Sequence, residues 1–212
     1  TLNQKRISVE SNIINGYIEG KYKLSEISDA IEVFLSEYIS NHASNTQRET
    51  PTDVVNLQFA FDLNDFDIIT DLFMPDLHIS KKTKINGKFH SNNNILNIYI
   101  NSDNITYSGI EFIENNITIE AFVRKIYLGL SSQNLQIYKT ANVENVKFDG
   151  VVHNDSINYS LFWDNYKNFK NNSGDIKGSI VLADSNSIIA IFGASEFIIE
   201  DNKWEIDKYN KI

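Results

Sequence analysis

Four histidines, His42, His78, His90 and His153, are the residues best suited to hold a metal or move a proton, and each lies far from the next. There is no His-Glu-x-x-His run and no histidine pair at helical spacing. Ordinary surface histidines are therefore the simpler reading. Asp62, Asp65, Asp67 and Asp71 crowd one short stretch. They lack the Asp-x-Asp-x-Asp-Gly spacing of a calcium loop and read as acids at a helix start and on its solvated face. No Gly-x-Ser-x-Gly elbow presents a serine nucleophile, and the glycines are dispersed singly, so no loop cradles a phosphate. The absence of cysteine removes disulfides, thiol catalysis and cysteine metal sites. Asn-x-Ser/Thr triplets, as at Asn104 and Asn116, follow from the abundance of Asn and carry no glycosylation argument. The residue types point away from an enzyme, and no cofactor is expected.

Charge narrows the partners. The chain has 212 residues and a net charge of −9, with a pI near 4.9. A nucleic-acid binder presents a basic face, and the nearest thing here is Lys81-Lys82-Thr83-Lys84, so no nucleic acid is expected. At 42% hydrophobic residues the chain can bury a core. No signal peptide is evident and no apolar run reaches the ~20 residues of a membrane helix. The chain starts at Thr1 and reads as one β-rich segment, 1–212, of a longer protein or as a mature form.

The elements that position side chains are mostly strands. Ile85 to Ile100 reads as a strand, a Ser/Asn turn from His90 to Asn94, and a second strand in which Leu96, Ile98 and Ile100 alternate with Asn97 and Tyr99. Its apolar-x-Gly-x-apolar core recurs around Gly16, Gly150 and Gly178, where glycine predicts a bend that helps curl the sheet. Lys5 to Tyr22 predicts two strands around Ser11-Asn12. Leu24, Ile27, Ile31, Phe34, Leu35 and Tyr38 form one stripe of an amphipathic helix over 24–40, with Ser25 as N-cap. Residues 41–53 predict a loop. Val55 to Leu63 alternate as a strand. A short helix follows to about Leu72, entered through a capping box at Asn64 to Asp67, with Leu63 stapled to Ile68 and Pro75 closing it. Residues 24–74 thus read as a helix-containing insertion packed on the sheet.

From Ile85 onward strand follows strand. Turns are expected at Ser108-Gly109 and at Glu114-Asn115-Asn116. A change of apolar phase at Arg124-Lys125 predicts a bulge or kink. With no helix between them, sequential strands are expected to be antiparallel. Each has one apolar face that must be buried. The expected fold is mainly β: a curled, groove-forming, antiparallel-rich sheet of hairpin repeats, with one amphipathic α-helix and one short helix near the N-terminus.

This order of elements resembles a family. The helix from Leu24, the strand Val55 to Phe61, Leu72 to Ile79, Lys84 to Phe89, Ile157 to Asn165, Gly174 to Gly178 and the closing Ser195 to Trp204 resemble, in sequence order, a TamB protein. This is the translocation and assembly module of the AsmA-like superfamily, in its Bacteroidetes form. The resemblance implies an elongated β-taco with an apolar groove, anchored in the inner membrane through a part outside this segment and crossing the periplasm. It implies phospholipid acyl chains as cargo moved toward the outer membrane, and an outer-membrane barrel protein as partner.

A groove would be lined by alternate residues. Phase selects Leu96, Ile98, Ile100, Ile117, Ile119, Val123, Leu161 and Trp163, and a one-residue slip would select their neighbours instead. Exposing acyl chain to water costs roughly 0.8 kcal/mol per CH₂, so an apolar trough lowers the barrier to transfer without any catalytic group. Two alternatives stay open: a scaffold or chaperone for outer-membrane proteins that receives a client strand at a sheet edge, and a closed β-sandwich or solenoid adhesion module.

Overall fold

A computed structural model describes residues 3–39, 54–138, 141–165, 171–184, 187–199 and 201–207. The strands are β1 (Lys5–Glu10), β2 (Ile14–Lys21), β3 (Asn56–Leu63), β4 (Leu77–Ile79), β5 (Thr83–His90), β6 (Ile95–Tyr107), β7 (Ile110–Phe122), β8 (Lys125–Ile137), β9 (Ala141–His153), β10 (Ser156–Asp164), β11 (Ser173–Asp184), β12 (Ser187–Phe192), β13 (Ser195–Ile199) and β14 (Asn202–Ile206). Helix α1 (Leu24–Ser36) follows β2, and α2 (Asp67–Phe73) follows β3. All fourteen strands belong to one antiparallel sheet. Its order is β1-β2-β3-β5-β6-β7-β8-β9-β10-β11-β13-β14, with β4 on β6 and β12 on β11. The sheet is not closed: β1 and β14 stand at opposite ends of the path.

Tight turns keep neighbours antiparallel. Ser108-Gly109, Val123-Arg124 and Asn154-Asp155 each join two strands with both turn residues at positive φ. That is the hairpin turn whose twist matches the strands it connects. The phase change at Arg124 is therefore a chain reversal between two strands, not a kink within one. The turn expected at Glu114 is corrected in the opposite sense. Glu114 lies inside β7 with φ 54°, and the ladder omits Asp103, Glu114 and Gln133 while pairing the residues on either side. Beyond that line the apolar positions change phase, to Ile105, Phe112, Leu135 and Val143.

Buried polar side chains line this crease. Ser132 Oγ accepts from the Ile113 N–H at 3.1 Å and donates to the Asn134 carbonyl at 2.8 Å. Thr83 Oγ1 and Ser102 Oγ lie 2.7 Å apart. Asn165 Oδ1 accepts from the Glu144 N–H at 2.6 Å, and its Nδ2 donates to the Asn142 carbonyl at 3.0 Å. Ser132 and Asn165 thereby satisfy backbone groups that the broken ladder leaves without a strand partner, as buried backbone groups require.

The N-terminal half differs from expectation in four details. Helix α1 ends at Ser36, and its N-cap is Lys23, with no side-chain cap bond; Ser25 is the second helical residue. Lys23 Nζ instead meets Glu26 at 2.9 Å. Helix α2 is entered from Phe66 without a side-chain cap, and Ile68 is exposed, so the staple is not made. Within residues 24–74, β3 is itself a strand of the sheet, between β2 and β5. The loop expected over 41–53 lies outside the described residues.

The core forms where α1 meets the sheet. Ala30, Phe34 and Tyr38 join Leu57, Phe89, Leu96, Ala121, Ile126 and Val152 in one buried cluster, with Ile27 and Ile31 packed against it. Phe34 sits edge-on to Phe89 at 5.5 Å and tilted against Tyr38 at 5.1 Å. Leu24 and Leu35, the other members of the expected stripe, face water. Phe34→Ala should therefore cost about 3–5 kcal/mol. Leu35→Ala should cost under about 1 kcal/mol. Urea denaturation of the two variants checks the difference.

Candidate functional site

Residues suited to acid–base or metal chemistry do not converge. His78 Nδ1 is 3.6 Å from Asp67, His153 Nδ1 is 3.0 Å from the Arg124 carbonyl, and His90 lies at the far end of β5. His42 lies outside the described residues. Among the described residues no group of three or more His, Asp or Glu could hold a metal ion, and no helix is long and apolar enough to cross a membrane.

Cross-strand register assembles something else. Residues opposite one another in a ladder point to one face, so the pairings define rungs across the sheet. The first rung contains Leu57, Phe89 and Leu96, then Ala121, Ile126, Val152 and Ile157. The second runs Ile18, Phe59, Gly87, Ile98, Ile119, Leu128, Gly150, Tyr159, Gly178 and Phe192. The third runs Phe61, Ile85, Ile100, Ile117, Leu130, Phe148, Leu161 and Ile176. The fourth lies at the crease, where Ser102, Asn115, Ser132 and Val146 give way to Trp163, Gly174, Phe197 and Trp204.

The rungs differ in cover. The first is buried beneath α1, from Leu57 to Val152. The second is half-buried, and five of its members pack against that core. The third is half-buried throughout and lies outside the core cluster. Its eight strands, about 4.8 Å apart, make a band roughly 34 Å long. No acid, base or amide occurs in it. Tyr159 is the one titratable side chain of the second rung, and burial pushes its phenol above the ordinary value. The apolar band is thus uncharged at neutral pH.

Aromatic rings cover glycines along this face. A Cβ at Gly87 would stand 2.8 Å from Phe59 Cζ and 2.3 Å from the Asn97 carbonyl oxygen. At Gly178 it would stand 2.7 Å from the Tyr159 hydroxyl, and at Gly174 2.2 Å from the Trp163 ring. Each of these glycines is the cross-strand partner of its ring. Glycine therefore acts here by making room for a ring lying across the sheet. Phe148 and Tyr159 stack at 6.3 Å, and Trp163, Phe197 and Trp204 form a row with centroids 6.3 and 6.4 Å apart.

The opposite face is polar. Tyr99 donates to Glu120, and Asn101 Nδ2 donates to Asn116 Oδ1 at 2.9 Å. A depression of about 340 Å³ on this face is shallow and lined by Tyr17, Gln58, Asn86, Lys88 and Tyr99. It brings together amides, two phenols and a lysine head.

The residues selected by alternation fall as follows. Ile98 and Ile119 are in the second rung, Ile100, Ile117 and Leu161 in the third, and Trp163 in the fourth. Leu96 is 8% exposed and belongs to the covered core. Val123 is corrected: it is the first residue of a tight turn, with φ 48° and 72% exposure, and lies on neither face. Alternation within single strands missed Phe61, Ile85, Leu130, Phe148 and Ile176. Pairing Ile85 with Gly87, Phe148 with Gly150, and Ile176 with Gly178, two residues apart, was the signal available for three of them. Helix α2 turns Leu72 and Phe73 outward.

Gly87→Ala should lower stability by about 1–3 kcal/mol, because the methyl must displace Phe59 or the β6 backbone. Gly193→Ala, whose Cβ would meet nothing closer than 3.2 Å, should cost less. Parallel chemical denaturation measures both. Comparison of the chain with protein-family models, curated proteins and solved structures finds no match.

Proposed function

We propose that the second and third rungs are the floor of an open, β-taco-like groove that carries phospholipid acyl chains. The observation behind this reading is the third rung: eight consecutive strands each contribute one half-buried apolar residue, outside the core that α1 closes. Apolar surface of that continuity on one side of a sheet suits an elongated apolar ligand. Each acyl CH₂ sheltered there recovers roughly 0.8 kcal/mol. Uniform apolar side chains give no headgroup selectivity and no deep energy minimum, which favours sliding over tight binding. The step needs no catalytic residue and no cofactor.

The resemblance to TamB proteins supplies the setting: a segment of an envelope bridge in the periplasm of a Gram-negative bacterium, carrying phospholipid to the outer membrane, with its membrane anchor elsewhere. A scaffold role in outer-membrane protein assembly is the second reading, and the edge of β1, unpaired among the described residues, favours it, since an edge strand can receive a client strand.

A photo-crosslinking amino acid at Ile117, with one at Asn116 on the opposite face as control, tests the proposal on the purified chain mixed with phospholipid vesicles. Phospholipid adducts at 117 and not at 116 are expected. Equal labelling at both, or none at either, contradicts a lipid groove. In a cell extract, protein adducts at 117 in place of lipid would support the scaffold reading.

A further inference from the structure

We propose that the turn between β7 and β8 docks this chain on an anionic phospholipid bilayer, with Phe122 and Val123 entering the headgroup region and Arg124 and Lys125 meeting lipid phosphates. The inference rests on that turn alone and holds whether or not the apolar face carries acyl chains.

The turn is built against its own backbone preference. Val123 stands at φ 48° and Arg124 at φ 58°. A β-branched residue in the left-handed region is strained, and this hairpin geometry favours Asn and Gly. The two other tight turns of the same kind carry Ser108-Gly109 and Asn154-Asp155. Packing does not repay the strain at Val123. Its side chain is 72% exposed, and that of Phe122 beside it is 68% exposed. Arg124 and Lys125 are exposed as well. A strained residue that gains no contact within the fold points to a use outside it.

Register arranges the four side chains as a wedge. Phe122 opposes Lys125 in the last pair of the β7–β8 ladder, and Val123 and Arg124 project beyond it. Tyr127, two residues from Lys125 and so on the same face, is 41% exposed. The neighbouring hairpin steadies the turn: His153 Nδ1 donates to the Arg124 carbonyl at 3.0 Å.

Charge and size select the occupant. The chain carries a net −9, yet two adjacent cations stand at this projecting end. The nearest acid on the same strand face, Glu120, accepts a hydrogen bond from Tyr99, and Asp155 stands in the next turn. Adjacent apolar and cationic side chains match a surface that is anionic outside and apolar beneath, which is a bilayer interface. Two exposed apolar residues fall far short of the roughly 800 Å² that each partner gives to a stable protein interface. A second copy of the turn would also bring like charges together. Docking of this size is weak and reversible, and salt should weaken it.

The chain has no cysteine, so Val123→Cys can carry a single environment-sensitive fluorophore. Its emission should rise and shift to the blue on vesicles of phosphatidylcholine mixed with phosphatidylglycerol, and much less on phosphatidylcholine alone. The same label at Asn116→Cys, on the polar face, should not respond. Equal response at both positions, or none at Val123→Cys, overturns the proposal. Arg124→Gln and Lys125→Gln should each lower vesicle partitioning about fivefold in co-sedimentation. Val123→Asn combined with Arg124→Gly separates docking from folding. It should raise the urea midpoint, because the turn then has suitable residues, while cutting partitioning about tenfold or more. A lower midpoint, or partitioning unchanged, overturns the proposal. So does self-association of the lipid-free native chain that this double variant abolishes, which would give the turn to a second copy.

Discussion

The mismatch between one helix and a very wide apolar sheet face governs the rest of this structure. Thirteen residues of α1 make a rod about 20 Å long. Twelve strands along the sheet path span roughly 53 Å. One such helix can cover a single rung of the central strands, and six buried apolar residues of the sheet gather there, from Leu57 to Val152. Two residues farther along each strand the cover thins. Four residues along, at Ile100, Ile117 and Leu130, the side chains lie outside the core yet remain half-buried. A one-sided sheet with too little second layer must leave apolar surface for something else.

Two local devices shape that face. Rings laid over cross-strand glycines, Phe59 on Gly87 and Trp163 on Gly174, keep it apolar without deep packing. The crease limits it. Ser132, Asn165 and their neighbours supply the hydrogen bonds lost where the ladder breaks, at a position where a purely apolar row would strand backbone groups. Buried hydroxyls and amides therefore mark the boundary of the apolar band.

Much of this was legible in the sequence, for a reason that also sets the limit. Period-2 alternation is local, so the strands, their antiparallel order and the shared face of Ile98, Ile100, Ile117, Ile119 and Leu161 could be read directly. Cover is not local. Leu96 and Ile100 look alike in sequence, and only the docking of α1 makes one core and the other surface. Val123 continued the alternation of β7 but lies in a turn formed by Val and Arg, residues that rarely adopt positive φ, so no Asn or Gly announced it. Glu114 failed in the same way: a run of Glu and Asn signals a turn, and here it is a left-handed residue within a continuous strand. Ser25 is a good cap by type, but Lys23 and Glu26 bring the chain into the helix two residues earlier.

The central claim is that the apolar face admits acyl chains. The chain contains two tryptophans, and Trp163 lies beside the third rung next to Leu161. With Trp204→Phe, Trp163 is the sole reporter. Phospholipids brominated along the acyl chain should quench its fluorescence strongly, and lipids brominated only at the headgroup should not. Equal quenching by both, or none by either, would contradict the account.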